Sequence, residues 1–292
     1  MHRLKTWQLF AICVLTWSTT WYAITYQLAH VPPELNVALR FGLAGSVIIA
    51  ICLFGGYRLR FTWREHGLLL LQGSFMYGVS YVSVYHAEKH IVSGLVAVGY
   101  SASPLLTGLG ARLLFDAPLG RRFVMGGVLG LVGVSLVFFP EFMRTTADRD
   151  TAVGVAFTLA GVLLASFGSL VASRNRPNGL PFWPALGYGM LYGAAVSAVF
   201  ALAMGQAFAP PAAPSWWASL FYLALAGSVL TFACYLTLQE RIGPGPTATI
   251  GVMTPLLALL VSIAFEGFRP EWLTLGGASL ALAGNVMMLK RL

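Results

Sequence analysis

The stretch His90–Leu106, HIVSGLVAVGYSASPLL, has a counterpart at Arg241–Leu257, RIGPGPTATIGVMTPLL, and that pairing decides the fold. With the chain slid on itself by 151 residues, His90–Ile91 falls on Arg241–Ile242, Gly94 on Gly245, Ala97 on Ala248 and Pro104–Leu105–Leu106 on Pro255–Leu256–Leu257. At an offset of 150, Gly126–Gly127 falls on Gly276–Gly277. A chain rich in Leu, Gly and Ala produces single matches by chance. A run in register, with a proline at the same place in corresponding apolar segments, is the mark of an internal repeat.

Both copies lie in apolar surroundings. Of 292 residues, 58% are hydrophobic and 10% charged, with a mean hydropathy of +0.76. A soluble domain carries about 25% charged residues, and so few charges could not cover the apolar surface of a water-soluble fold. The bilayer is the solvent that accepts it. Crossing it takes about 20 apolar residues per helix. Ten stretches qualify: Trp7–Leu28, Leu35–Phe54, Gly67–His86, Ile91–Phe115 and Phe123–Phe139, then Thr151–Ser173, Phe182–Gln206, Trp216–Leu238, Pro244–Phe265 and Trp272–Leu289. The first follows Arg3 and Lys5 like a signal peptide. It holds Trp17–Tyr22 and no small-residue cleavage site, so it reads as a retained spanning helix. The longest polar connection is Glu141–Asp150, too short for a soluble domain.

The basic residues test the helix count. With the N-terminus inside, alternate loops place thirteen Lys and Arg inside and four outside (Lys89, Arg144, Arg149, Arg269), with Arg40 left within a helix. This is the positive-inside bias, and it supports ten helices with both termini cytoplasmic. It also explains the net charge of +8 and pI near 9.7 without nucleic acid. Cys13, Cys52 and Cys234 lie in apolar stretches with no metal or redox spacing and read as small hydrophobes.

Two units result, 1–145 and 146–292, each of five helices. Five is odd, so the second unit starts on the opposite side of the membrane. Inverted-topology repeats are a recurring plan of secondary transporters, with the site near the midplane between the halves.

The chain resembles the drug/metabolite transporter superfamily, whose members carry two EamA-type repeats. The resemblance rests on Trp17–Ser18, on Arg40–Phe41 after Pro32–Pro33, on Ala87–Glu88 through Pro104–Leu105 to Asp116, and on Gln239–Glu240 through Pro255–Leu256 to Glu266. Within it, the aromatic-rich helices, such as Tyr77, Tyr81, Tyr85 and Tyr100, look most like the aromatic amino acid exporter (YddG-like) branch. That likeness implies an inner-membrane carrier exporting Phe, Tyr, Trp and related compounds through a central cavity; the alternatives are a carrier of the same superfamily with another cargo (other amino acids, nucleosides, quaternary amines) and a non-transporting membrane enzyme. The second half departs from it, with Tyr188 near where the first has Arg40.

Several side chains are candidates for the substrate site. Tyr77, Tyr81 and Tyr85 recur at i, i+4, i+8 on one helical face. Phenols facing lipid would lack partners, so the stripe faces protein or a wet cavity, where the rings could stack on an aromatic cargo. Tyr85, near the outer interface, also fits an aromatic belt. Trp17 and Trp21 share a face, with Ser18 beside them; Trp17 lies about ten residues into its helix, roughly mid-depth at about 1.5 Å per residue. Arg40 is an intramembrane charge that could hold a carboxylate with two parallel hydrogen bonds, or snorkel to the surface. Pro104 and Pro255 form a symmetric pair where gating helices could bend, although prolines are common in such helices. Tyr100 lies near Pro104; Ser166, Tyr188 and Thr231 are polar positions of the second half that serve packing or ligand. Gly126, Gly130 and Gly133 and Gly276, Gly277 and Gly284 read as close helix packing.

The absences narrow the function. There is no Walker glycine loop, no HExxH and no paired intramembrane carboxylate, so neither ATP hydrolysis nor membrane-embedded hydrolysis is expected. All ten acidic residues lie in loops or at helix ends, leaving His86 and Glu88 as the proton-path candidates. The expectation is an all-α, ten-helix carrier of a bacterial inner membrane working by alternating access. It is not an enzyme, needs no cofactor, metal or nucleic acid, and is able to act as a monomer on a small-molecule substrate.

Overall fold

The computed structural model describes residues 4–116, 118–144, 149–175, 180–242, 247 and 250–289. Its described residues form helices: α1 (Thr6–Leu28), α2 (Pro33–Phe54), α3 (Trp63–Ala87), α4 (Ser93–Phe115), α5 (Arg121–Arg144), α6 (Arg149–Asn175), α7 (Phe182–Ala203), α8 (Pro214–Leu238), α9 (Ile250–Phe265) and α10 (Trp272–Leu289). The first eight contain spans long and apolar enough to cross a membrane, and the last two are shorter apolar helices. The expected start of the ninth helix at Pro244, with Gly245, Ala248 and Thr249, lies outside the described residues, as do Arg3, Arg176, Lys290 and Arg291.

Local sequence sets the boundaries. Pro33 and Pro214 stand at the first turns of α2 and α8, where a missing N–H is harmless. Thr62 caps α3 and Glu65 reaches back to the Thr62 amide at 2.6 Å, a capping box. Gly56 and Gly205 leave α2 and α7 at φ of +68° and +69°, the left-handed geometry that favours glycine.

The packing carries the repeat. α5 lies along α10 and α2 along α7. The pairs α1·α8, α1·α9 and α2·α8 recur as α6·α3, α6·α4 and α7·α3 when five is added to each helix number, cyclically. A pseudo-two-fold axis therefore relates the halves. α1 packs between α8 and α9, an integral part of the bundle. Along α5 and α10, the glycines bring backbone onto backbone: a Cβ on Gly126 would lie 2.6 Å from the Gly284 carbonyl oxygen, and one on Gly277 would lie 2.6 Å from that of Gly133. Gly276 has nothing within 4 Å and takes no part in this contact.

Two helices depart from α geometry at matching places. Ser74–Val79 in α3 and Tyr222–Leu230 in α8 are π-helical. These segments coincide at the repeat offset. Such stretches are rare and frequent at functional sites. α4 is broken as well: a 3₁₀ turn at Tyr100–Ala102 precedes Pro104, which sits in the first turn of the resumed helix. Pro255 stands inside the continuous α9. The two prolines thus occupy different local geometries.

Candidate functional site

Between the halves lies a cavity of about 230 Å³. α1 contributes Thr20, Trp17 and Trp21, α2 Arg40, α3 Tyr81, α4 Tyr100, α8 Phe232 and α9 Thr254 and Pro255. A second cavity of about 400 Å³, bordered by Gln72, Tyr77, Ser169, Ser173, Leu180 and Tyr235, shares the Phe232 ring. It leads toward the end of the molecule that carries Gly55, where Ser173 is exposed.

The smaller cavity has aromatic walls. Trp17 packs against Phe232 and Tyr235, both with ring centroids 5.4 Å away, and its indole N–H donates to the Gly227 carbonyl at 3.1 Å. That carbonyl belongs to the π-helical stretch of α8, so the irregular helix supplies a backbone acceptor inside the bundle. Trp21 meets Tyr100 at 5.2 Å, and Phe41 meets Tyr81 at 4.6 Å edge to face.

Arg40 is the charge in this setting. It is 3% exposed, with Cζ 4.9 Å from the Tyr81 ring centroid and 5.1 Å from that of Phe41. Cation–π contact compensates part of its desolvation. Nε and Nη1 nevertheless meet no acceptor among the described residues, and neither does the Tyr100 hydroxyl meet a partner. A buried polar group left unpartnered costs about 1–3 kcal/mol, and more when charged. The arrangement is chemically a receptor for an anionic oxygen group beside a flat apolar body. Snorkelling is excluded by the burial of Arg40.

The end that carries Glu88 is tied together by polar contacts. Glu34 of α2 accepts from Gln206, in the turn after α7, at 3.0 Å and pairs with His86 of α3 at 2.8 Å. His86 stacks on Phe157 of α6 at 4.9 Å. Ser93, opening α4, donates to Glu266 at 2.6 Å, and Ser262 of α9 also donates to that carboxylate. Glu88 lies one residue past α3, 8% exposed. Burial, reinforced by the nearby Glu266 carboxylate and opposed by Arg40, holds its carboxyl well above the usual range.

Of the residues singled out from sequence, Trp17, Trp21, Arg40, Tyr81, Tyr100 and Pro255 line the smaller cavity, and Tyr77 borders the larger one. The others lie elsewhere. Ser18 donates to the Val14 carbonyl at 2.5 Å and Thr231 to that of Ala226 at 2.6 Å, both within their own helices. Ser166 bonds Ser103 at 3.2 Å between α6 and α4. Tyr188 donates to the Leu59 carbonyl at 3.1 Å and packs on His66, near the Gly55 end. Pro104 borders neither of the two cavities. Tyr85 is fully buried, donating to Gln27 Oε1 at 2.7 Å, which removes it from any interfacial belt. Sequence reasoning missed Phe232, although the repeat offset places it opposite Tyr81; the same offset pairs Tyr100 with Gly251, another wall residue.

Comparison with known proteins places this geometry. The EamA-like transporter family matches residues 5–139 and again residues 151–290. Protein PecM of Dickeya dadantii is 27% identical over 90% of this chain and 84% of its own. The uncharacterized inner membrane transporter YedA of Escherichia coli K12 is 26% identical over 92% of this chain and 86% of its own. A protein of known crystal structure, 22% identical, superposes with a TM-score of 0.69 over 98% of this chain and 99% of that one, and shares the fold.

Proposed function

Because the chain belongs to the EamA-like transporter family, we propose that it exports aromatic amino acids and related amphipathic metabolites by alternating access. It is a multi-pass protein of the inner membrane. The observation that carries the cargo reading is the buried Arg40, with two nitrogens unpartnered among the described residues, set in an aromatic cavity shared by both halves. Its guanidinium would hold the carboxylate, and Trp17, Trp21, Tyr81, Tyr100 and Phe232 would enclose the ring.

The bias of basic residues puts the Gly55 end and both termini in the cytoplasm. On that orientation the larger cavity leads inward and the Glu88 end is closed outward, the state in which cytoplasmic cargo loads. Among the described residues the spans offer no partnered acid relay, which suits movement down the cargo gradient.

Counterflow in proteoliposomes tests the proposal. Vesicles preloaded with unlabelled Phe or Trp should accumulate labelled Phe, and those preloaded with a small aliphatic amino acid should not. Trp17→Ala and Tyr81→Ala should each weaken cargo affinity. Arg40→Gln should weaken it about 10- to 100-fold, the equivalent of about 1.5–3 kcal/mol for a charged hydrogen bond. Folded protein that exchanges no aromatic compound, or variants that bind cargo as the wild type does, would overturn it and send the cargo to another class.

A further inference from the structure

Arg40, on the cavity wall, is one of a group of buried polar side chains that do not satisfy one another among the described residues. On the donor side are Arg40 Nε and Nη1, Gln27 Nε2 and the Tyr100 hydroxyl, all buried without a partner among the described residues. Tyr85 occupies Gln27 Oε1 at 2.7 Å, so only the amide N–H₂ of Gln27 is left over. On the acceptor side are both carboxylate oxygens of Glu88, buried and equally unpartnered. Glu88 lies within electrostatic reach of Arg40, Tyr85, Tyr100 and Glu266. A structural Arg40–Glu88 ion pair would be the simplest way to satisfy two buried charges. It is not formed: neither Glu88 oxygen meets a donor. The neighbouring carboxylates are already engaged, Glu34 by His86 and Gln206, Glu266 by Ser93 and Ser262. His90 faces outward toward Asp150 at 3.4 Å.

We infer that Glu88 is the second charged residue of the binding site, accepting the ammonium group of a zwitterionic cargo whose carboxylate is held by Arg40. The inference rests on the proposed role of Arg40. A monoanion would answer the donors and leave Glu88 unmatched. A monocation would answer Glu88 and leave Arg40 unmatched. A zwitterion answers both, with no net charge brought into the low-dielectric interior.

Binding of phenylalanine, 3-phenylpropionate and 2-phenylethylamine to purified full-length protein tests this. The wild type should bind phenylalanine at least about tenfold more tightly than either singly charged analogue. Glu88→Gln should lose about tenfold or more for phenylalanine and phenylethylamine and hold phenylpropionate within about twofold. Glu88→Asp should recover part of the phenylalanine affinity. Phenylalanine binding unchanged in Glu88→Gln, or an equal loss for all three ligands, would overturn the inference while the Arg40 reading stands. No binding of any of the three by the wild type would overturn both.

Discussion

Arg40 and Glu88 are two buried ionisable groups whose polar atoms are incompletely partnered among the described residues, and they differ in what they do to stability. Arg40 has the Tyr81 and Phe41 ring faces and a hydrogen bond to Tyr85. Glu88 has only the option of staying neutral. Its folded carboxyl holds the proton above the ordinary value of 4.5. Below that value folded and unfolded chains are both protonated and the group is neutral to stability. As pH rises, the unfolded chain ionises first, so stability falls until the folded pKa is passed and then levels off. Glu88→Gln should therefore unfold at a higher temperature than the wild type at neutral and alkaline pH, with the difference vanishing in acid. A thermal melt of the purified protein across pH measures it; a gap that is largest in acid would contradict the sign. Arg40 was visible in the sequence as a charge that no loop accounts for, whereas Glu88 looked like an ordinary turn residue because its burial comes from helices far along the chain.

Among elements, the α5–α10 pair and the two π-helical segments define the frame. Gly133 and Gly277 approach so closely that an added side chain meets backbone, which cannot yield. Gly133→Val should cost at least a few kcal/mol, in the range of severe overpacking, and should be read as loss of monodisperse protein. Gly276→Ala should be neutral or stabilising by about 0.5–1 kcal/mol, since nothing lies within 4 Å and helical glycine is entropically unfavourable. The glycine pattern was legible in sequence, though not which glycines touch. The π-helical stretches were not. Close helix crossings border both: a Cβ on Gly193 would lie 2.8 Å from the Gly73 carbonyl oxygen, and one on Gly227 would lie 2.7 Å from the Thr20 methyl.

At the scale of the molecule, closure at the Glu88 end and the cavity leading to the Gly55 end are what the proposed alternating access requires of one of its states. The three cysteines are buried, so an introduced thiol reports with little background. A membrane-impermeant maleimide should modify Ser173→Cys from the cytoplasmic face, more slowly when cargo fills the cavity. It should spare Ser93→Cys, buried against Ser262 and Glu266, from the outer face until the protein turns outward. Equal reaction of both from either face would mean that the outer closure does not hold in the membrane.

The all-helical class, the helix count and the two repeats were determined by the sequence itself, because a bilayer dictates them through local quantities: apolar length, loop charge and proline register. Trp17, Trp21, Arg40, Tyr81 and Tyr100 were singled out because aromatic or charged groups inside an apolar span stand out along one helix. What the tertiary structure alone decided is which of the polar positions converge. It turned Ser18 and Thr231 onto their own backbones, sent Tyr188 to the Gly55 end, brought Phe232 to the cavity and left Glu88 facing no donor. A hydrogen-bond partner is a property of two helices at a given rotation and depth, and those two numbers are set by packing across the pseudo-two-fold rather than by either segment alone.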